Sequence, residues 1–558
     1  MKIIGKLFLA GLLLATTMFS APPDTRLADA AMNGDRAAVL ALLKPGVDVN
    51  AAQGDGSTAL HWAAYRGDVE MTQALLKAGA SVKAVTRIGS MSPLFMAAKG
   101  GNAAVVEALL KGGGNALEAN ANGTTVLMTA ASTGNAEAVK VLLDHGADIN
   151  AKDLTNGQTA LMFAAAVNRA AVIKTLIARG ADANVTTKVV RMERVQVDAN
   201  GNPLPPAEGN RGAAAEEGAQ RGGGGGQRGG GDRILGATVI GGLAALHFAA
   251  REGQIDAIRE LVEGGADVNL QSAGDKTPPI TEAVINGHVD IAKYLLDHGA
   301  NPKIANADGL TPLFATMDIR WRANAWYPQP TIAEEKTDYI AFMKELLDHG
   351  ADINARLGRK LWFRKFRYGD DWVDPNGATA FWRAAQANDI VGMKFLASRG
   401  ADTKLATVKG VTPLMVAAGI GFEYQLTNIV PDSRLEAVKY LVETAGNDVN
   451  AKDDKDYTTL HGTAYVGDND VIKYLVSKGA NVKARAKGRL GGTQGAEDVA
   501  EGQGDTVADM ANGPREKSLL HPETVKLLES LGSENSNDCR STACVNKTKA
   551  DKPPVKPQ

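Results

Sequence analysis

The chain has 558 residues, with 61 basic and 63 acidic side chains and a formal net charge of −2. So even a balance excludes a global field that would draw the protein to nucleic acid or to an anionic membrane. The length by itself admits several domains, so the count has to come from patterning along the chain.

Residues 1–21 read as a secretory signal peptide. Lys2 and Lys6 supply the basic start, and Leu7 to Met18 is an apolar run too short to span a bilayer. Ala15-Thr16-Thr17 and Ser20-Ala21 both offer small residues for cleavage, and the alternative is a retained N-terminal anchor. No cysteine near position 20 suits a lipoprotein, and no later stretch is long and apolar enough to span a membrane. The expected location is outside the cytoplasm, periplasmic or extracellular.

From residue 22 the chain repeats itself. A seven-residue phrase runs TALHWAA from Thr58, SPLFMAA from Ser92, TVLMTAA from Thr125 and TALMFAA from Thr159. It returns as AALHFAA from Ala244, TPPITEA from Thr277, TPLFATM from Thr311, TAFWRAA from Thr379, TPLMVAA from Thr412 and TTLHGTA from Thr458. Where nothing intervenes the copies lie 33 or 34 residues apart, the period of stacked supersecondary units. Thr at the head is a helix N-cap whose hydroxyl accepts a free N–H of the first turn. Pro93, Pro278, Pro312 and Pro413 follow at the first helical position, where a missing N–H costs nothing. A Gly-Asn or Gly-Asp break, as at Gly67-Asp68 and Gly134-Asn135, leads to a second helix. Val139, Leu142 and Leu143 share one face of such a helix, and Gly146 ends it in a left-handed conformation.

This pattern resembles the ankyrin repeat, with its T-P-L-H-x-A signature. The resemblance implies an all-α fold: a solenoid of stacked helix-turn-helix units with β-hairpin-like fingers. Ten copies carry the phrase, and degenerate units at 24–50 and about 506–531 flank them. The blocks are 22–185, N-terminal repeats; 243–484, C-terminal repeats; 485–532, a loop and degenerate capping repeat; and 533–558, a disordered polar tail. The run from Trp326-Tyr327-Pro328 through TTLHGTAYVGD is similar to a subgroup of exported bacterial ankyrin-repeat proteins, which implies only repeat-mediated binding.

Five inserts break the period. Residues 186–242 are Gly- and Pro-rich and unable to build a core, so the stack is one elongated solenoid or two segments hinged at such a linker. Arg-Gly-Gly at 221–223 and 228–230 lacks the aromatics of a single-strand binder, and the GxGxxG matches lack a following helix. Neither supports nucleic-acid or dinucleotide binding. Residues 318–337 and 356–376 are aromatic and basic. They carry Trp321, Trp326, Tyr327, Trp362, Phe363, Arg364, Lys365, Phe366, Arg367, Tyr368 and Trp372, with Arg356, Arg359 and Lys360 beside them. Such residues anchor protein interfaces, or stack on sugar rings, or simply seal an insert onto the helices beneath. The expected partner is another protein, with glycan as the alternative. Trp382 sits in a phrase and reads as packing. The last two inserts are 419–434 and about 485–504.

Nothing points to chemistry. His61, His247 and His461 hold the fourth position of the phrase, where hydrogen bonding to backbone is the expected role. His145, His298 and His349 precede a helix-ending glycine and suit the negative end of the helix dipole. Cys539 and Cys544 are expected to form a small disulfide loop of little mechanical value, with no metal or haem spacing. No cofactor, metal or catalytic set is expected, so the protein reads as a non-enzymatic scaffold; a hydrolase or inhibitor whose active part is the insert is the third reading, after protein and glycan binding.

Overall fold

The computed structural model describes residues 24–191, 239–321, 335–359, 373–423, 427–490, 496–515 and 518–544. The leader 1–21 and most of the insert 186–242 lie outside them. The described chain forms twelve helix pairs from 24 α-helices. Four pairs belong to a compact unit ending at Thr155, and eight to a second unit beginning at Asn156. Each unit is a helical-repeat solenoid.

Capping explains where the inner helices start. Ser92 Oγ accepts from Phe95 N–H at 3.3 Å, and Thr125, Thr311, Thr379 and Thr412 cap their own helices in the same way. The break between helices works through two adjacent residues. Gly67 and Gly134 take φ of 72° and 92°, a region closed to most side chains. The next residue then caps the outer helix: Asp68 accepts from Met71 N–H at 2.9 Å and Asn135 from Ala138 N–H at 2.8 Å. Between the two helices of a repeat, residues such as Leu109, Val139 and Leu142 are wholly buried. Each such side chain contributes about 1.5–3 kcal/mol.

Neighbouring repeats are stitched by residues whose role is invisible in any single copy. Asn50 Oδ1 accepts from Ser81 N–H at 2.7 Å, Asn269 from Asn301 N–H at 2.7 Å and Asn450 from Asn481 N–H at 2.8 Å. Fingers pair through single backbone bonds, such as Arg87 N–H to the Asp55 carbonyl at 2.7 Å and Val408 N–H to Asn376 at 2.7 Å.

Two expectations need correction, and one helix departs from the common pattern. The phrase near Thr277 begins one residue later. Pro278 is the N-cap and Pro279 the first helical residue, so Thr281 takes the fourth place and Glu282 the fifth. The second helix of the Thr412 repeat carries one extra residue, absorbed by a π-turn over Tyr440–Thr444. Finally, the Gly-rich insert is not where the units divide. Helix Ala160–Ala166 packs on Ala245–Arg251, and Ala170–Ala178 on Ile255–Glu263. The ends of the insert zip as antiparallel strands Val189–Arg191 and Val239–Gly241, with Arg191 opposite Val239.

That pairing carries a prediction. Asn-Gly is the favoured two-residue connection between directly opposed strand residues. Replacing residues 192–238 by Asn-Gly should leave the second unit folded. A shorter closure should raise its stability by as much as about 2 kcal/mol. In the intact chain, proteolysis should cut first within 200–235 and leave both fragments associated. A lower melting temperature in the excised variant would show that the insert packs on the repeats.

Candidate interaction surfaces

The expected aromatic patch is only partly described. Trp326, Tyr327, Trp362, Phe363, Arg364, Lys365, Phe366, Arg367, Tyr368 and Trp372 lie outside the described residues. Trp321 is described, and the boundary drawn at 318 moves. Helix Pro312–Arg320 runs through Asp318, because Asp318 forms an ion pair with Arg383 of the next inner helix at 2.8 Å with both side chains nearly buried. Trp321 is engaged by its own chain. Its Nε1 donates to Asp389 Oδ2 at 2.8 Å, and its carbonyl accepts from Arg383. Tyr339 Oη donates to the same carboxylate at 3.0 Å. Burial, and then the Asp389 charge, push the Tyr339 phenol above its ordinary range. Asp389 also caps helix Ile390–Ser398 through Gly392 N–H. Arg320 lies over both rings, 4.7 Å from that of Trp321 and 5.4 Å from that of Tyr339. A cavity of about 370 Å³ opens beside it, lined by Val289, Thr316, Ile319 and Tyr339 among others.

Two of the basic residues near 360 are also structural. Arg356 donates to the carbonyls of Gly377 and Ala406 at 3.0 and 2.6 Å. Arg359 pairs with the buried Asp308.

The fourth position of the phrase is a staple. Thr58 N–H donates to His61 Nδ1 at 3.0 Å, and His61 Nε2 faces the carbonyl of Met91 at 3.0 Å, the residue just before the next phrase. His247 and His461 repeat this with the carbonyls of Thr277 and Asp505. Nδ1 must accept and Nε2 must donate, so the ring is neutral. At Thr58 and Thr458 the hydroxyl therefore meets His Nδ1, at 2.8 and 2.9 Å, rather than serving only as a simple cap. Burial pulls His247 and His461 down to about 4. Trp382 occupies the same position, and its Nε1 donates to Val411, again the residue before the next phrase, at 3.0 Å. An indole N–H does the work of the imidazole N–H, which explains the change of residue.

The fifth position faces the inner surface of the stack. In the first unit Trp62, Met96 and Thr129 are partly exposed there. In the second unit Ala315, Arg383, Val416 and Gly462 are buried. Phe163 and Glu282 of that unit stay partly exposed, and at Gly462 the cover comes from an insert. A Cβ on Gly462 would lie 2.5 Å from Ile420 N, so the chain leaving Gly419 runs directly over that helix. Glu423 beyond it pairs at 2.6 Å with Arg515 of the terminal repeat, both nearly buried.

The first unit keeps an open surface among the described residues. Trp62 and Tyr65 meet edge to face at 6.5 Å. Trp62 is held by Gln53 Oε1 at 2.7 Å. Exposed apolar finger residues accompany them: Val85, Ile88 at 83% exposure, Leu117, and Leu154 at 67%. Arg87 and Lys99 are exposed on the same repeats.

Among the described residues the perturbed carboxylates do not assemble into a reacting pair. Burial raises Asp453 to about 6, yet it accepts Lys455 and Tyr457 N–H groups in a finger turn. Among the described residues no three His, Cys, Asp or Glu side chains are grouped to hold a metal ion, and no helix is long and apolar enough to cross a membrane.

A family model described as ankyrin repeats matches residues 27–116, 94–187 and 242–317, and a single-repeat model matches 409–454. Alpha-latrocrustotoxin-Lt1a of Latrodectus tredecimguttatus is 28% identical over 218 residues, 39% of this chain and 13% of the toxin. Palmitoyltransferase AKR1 of Lachancea kluyveri is 28% identical over 172 residues, 31% of this chain and 19% of the transferase. Protein phosphatase 1 regulatory subunit 27 of Mus musculus is 41% identical over 71 residues, 13% of this chain and 46% of that subunit. The chain spans less than half the length of each of these relatives.

Proposed function

The chain belongs to the ankyrin-repeat family, and on that premise we propose that it is a non-enzymatic scaffold that binds another protein through its first unit. The observation that carries this reading is the open inner surface there. Trp62, Tyr65 and Met96 line it, with Ile88 projecting from the adjoining finger. Contiguous exposed apolar surface rimmed by charge is a mark of interaction sites. Of the matching positions in later repeats, Gly462 is covered by the chain leaving Gly419 and Arg383 is buried against Asp318. Tyr and Trp anchors that become desolvated typically cost about 2 kcal/mol when truncated, roughly 30-fold in affinity.

The leader motivates the second element of the proposal, export from a bacterial cell. N-terminal sequencing of the exported protein should find the first 17 to 21 residues removed, and an intact Met1 would contradict this. The partner is then sought in periplasmic extract. Wild-type protein should capture a defined protein, and Tyr65→Ala with Ile88→Asp should lose it about 30-fold while helical content is kept. Unchanged capture by that variant would move the site elsewhere. A glycan reading is favoured by one observation, the cavity beside the Arg320 guanidinium and the Tyr339 ring. Pelleting with insoluble cell-wall polymer, lost in Trp362→Ala with Arg364→Ala, would support it over the protein reading.

A further inference from the structure

Residues 533–558 were expected to be a disordered polar tail, but 533–544 are docked on the terminal repeat. Ser536 donates to the Asp509 carboxylate through N–H and Oγ at 2.7 and 2.9 Å. Arg489 pairs with Asp538 at 3.1 Å. Cys539 and Cys544 are joined in a disulfide, their Cα atoms 6.2 Å apart. Two residues inside this small ring, Arg540 and Ser541, reach into the protein. Arg540 N–H donates to the Gly513 carbonyl at 2.8 Å. Ser541 is buried and its Oγ donates to the Ser518 carbonyl at 2.7 Å. The Arg540 guanidinium reaches Asp505.

Asp505 is the joint at which the end of the stack closes. It is 2% exposed. Its carboxylate accepts from Tyr457 Oη at 3.0 Å and from Leu490 N–H at 2.6 Å. Its own carbonyl faces the His461 staple at 3.3 Å. The previous repeat, the hairpin Gly488–Leu490 with Ala496–Asp498, and the terminal repeat all meet there. Arg540 is the cation that meets this buried carboxylate, and it comes from within the disulfide ring. A buried charge that loses its partner is strongly destabilising.

We propose that the Cys539–Cys544 disulfide is a redox latch that closes the C-terminal end of the stack by presenting Arg540 to Asp505. A dithiol reductant passes two electrons and two protons to the sulfurs. It leaves as a disulfide, and Cys539 and Cys544 become free thiols. The ring opens, the segment 539–544 regains chain entropy, and Arg540 leaves a carboxylate that only neutral donors then satisfy. The terminal helices Val507–Ala511 and Pro522–Ser530 fray, while repeats of the first unit are untouched. The end repeat is therefore complete only where thiols are oxidised, independently of which surface binds a partner.

Hydrogen–deuterium exchange on the full chain, with and without dithiothreitol, tests this. Exchange over 507–511 and 522–530 should quicken at least about 10-fold on reduction, with 26–144 unchanged. Arg540→Gln keeps the disulfide but removes the cation. It should exchange like reduced wild type under both conditions, and so should Cys539→Ser with Cys544→Ser. Protection that ignores reduction in wild type would overturn the latch. So would an Arg540→Gln protein that still responds fully to reduction, since the disulfide would then act through chain entropy alone.

Discussion

His461→Ala should destabilise the second unit by about 3 kcal/mol at pH 7.5, measured by chemical denaturation. The substitution strips Thr458 N–H of its acceptor inside a fully buried site. It also removes the Nε2 contact to the terminal repeat at Asp505 and leaves a ring-sized void. The effect should depend on pH with a definite sign. Burial holds the folded imidazole at about 4 against an ordinary 6.5. Above pH 6.5 the ring is neutral in both states and its stabilisation is complete. As pH falls from 6.5 towards 4 the unfolded chain takes a proton that the folded site refuses, and up to about 3 kcal/mol is lost. The gap between wild type and His461→Ala should therefore nearly vanish at pH 4. Wild type alone is a poorer probe. Burial raises Glu282 to about 7 and Asp453 to about 6, and protons on these carboxyls favour the folded state as pH falls. A gap that stays constant between pH 7.5 and 4 would show that the ring titrates normally in the folded protein.

Glu423→Ala and Arg515→Ala should each cost about 3–5 kcal/mol, because each strands a charge in a nearly buried pair. The two residues are separated by an entire repeat. Helix Thr459–Val466 packs between Pro413–Ala418 and Val507–Ala511, and the pair ties the chain that crosses Gly462 to the terminal repeat. The double variant should cost less than the sum of the single ones, since neither charge is then left alone. Strict additivity in that cycle, or single losses under about 1 kcal/mol, would mean that water screens the pair. Gly462 should not tolerate Ala for a related reason: the new methyl would meet the Ile420 backbone, which cannot give way like a flexible side chain.

How much of the candidate surface was readable follows from the reach of each signal. The aromatic inserts stood out by composition, but composition does not say which rings are used internally. Trp321 is engaged by Asp389, 68 residues away, and no local pattern announces that bond. The open surface around Trp62 and Ile88 was missed because each of its members sits at an ordinary repeat position. Only the covering of later equivalents such as Gly462 sets those early ones apart. A comparison of fifth positions along the chain, from Trp62 and Met96 to Gly462, was the available signal, since glycine in the middle of a helix costs about 1 kcal/mol without a steric reason.

By itself the sequence determined everything that acts over a few residues. Ser92 and Thr125 as caps, Pro93 at the first turn, Gly134 as a left-handed break and the 33-residue pitch are short-range backbone chemistry repeated many times, so twelve helix pairs follow from local rules. The tertiary structure alone decided what acts between distant residues. It set Pro278 rather than Thr277 as the cap. It put Trp382 on the carbonyl that histidine meets elsewhere, and it closed the Gly-rich insert into a paired stem. It also folded residues 533–544 back onto Asp505. These outcomes depend on desolvating a charge or filling a space whose walls come from remote parts of the chain, and such a demand leaves no periodic trace in the residues that meet it.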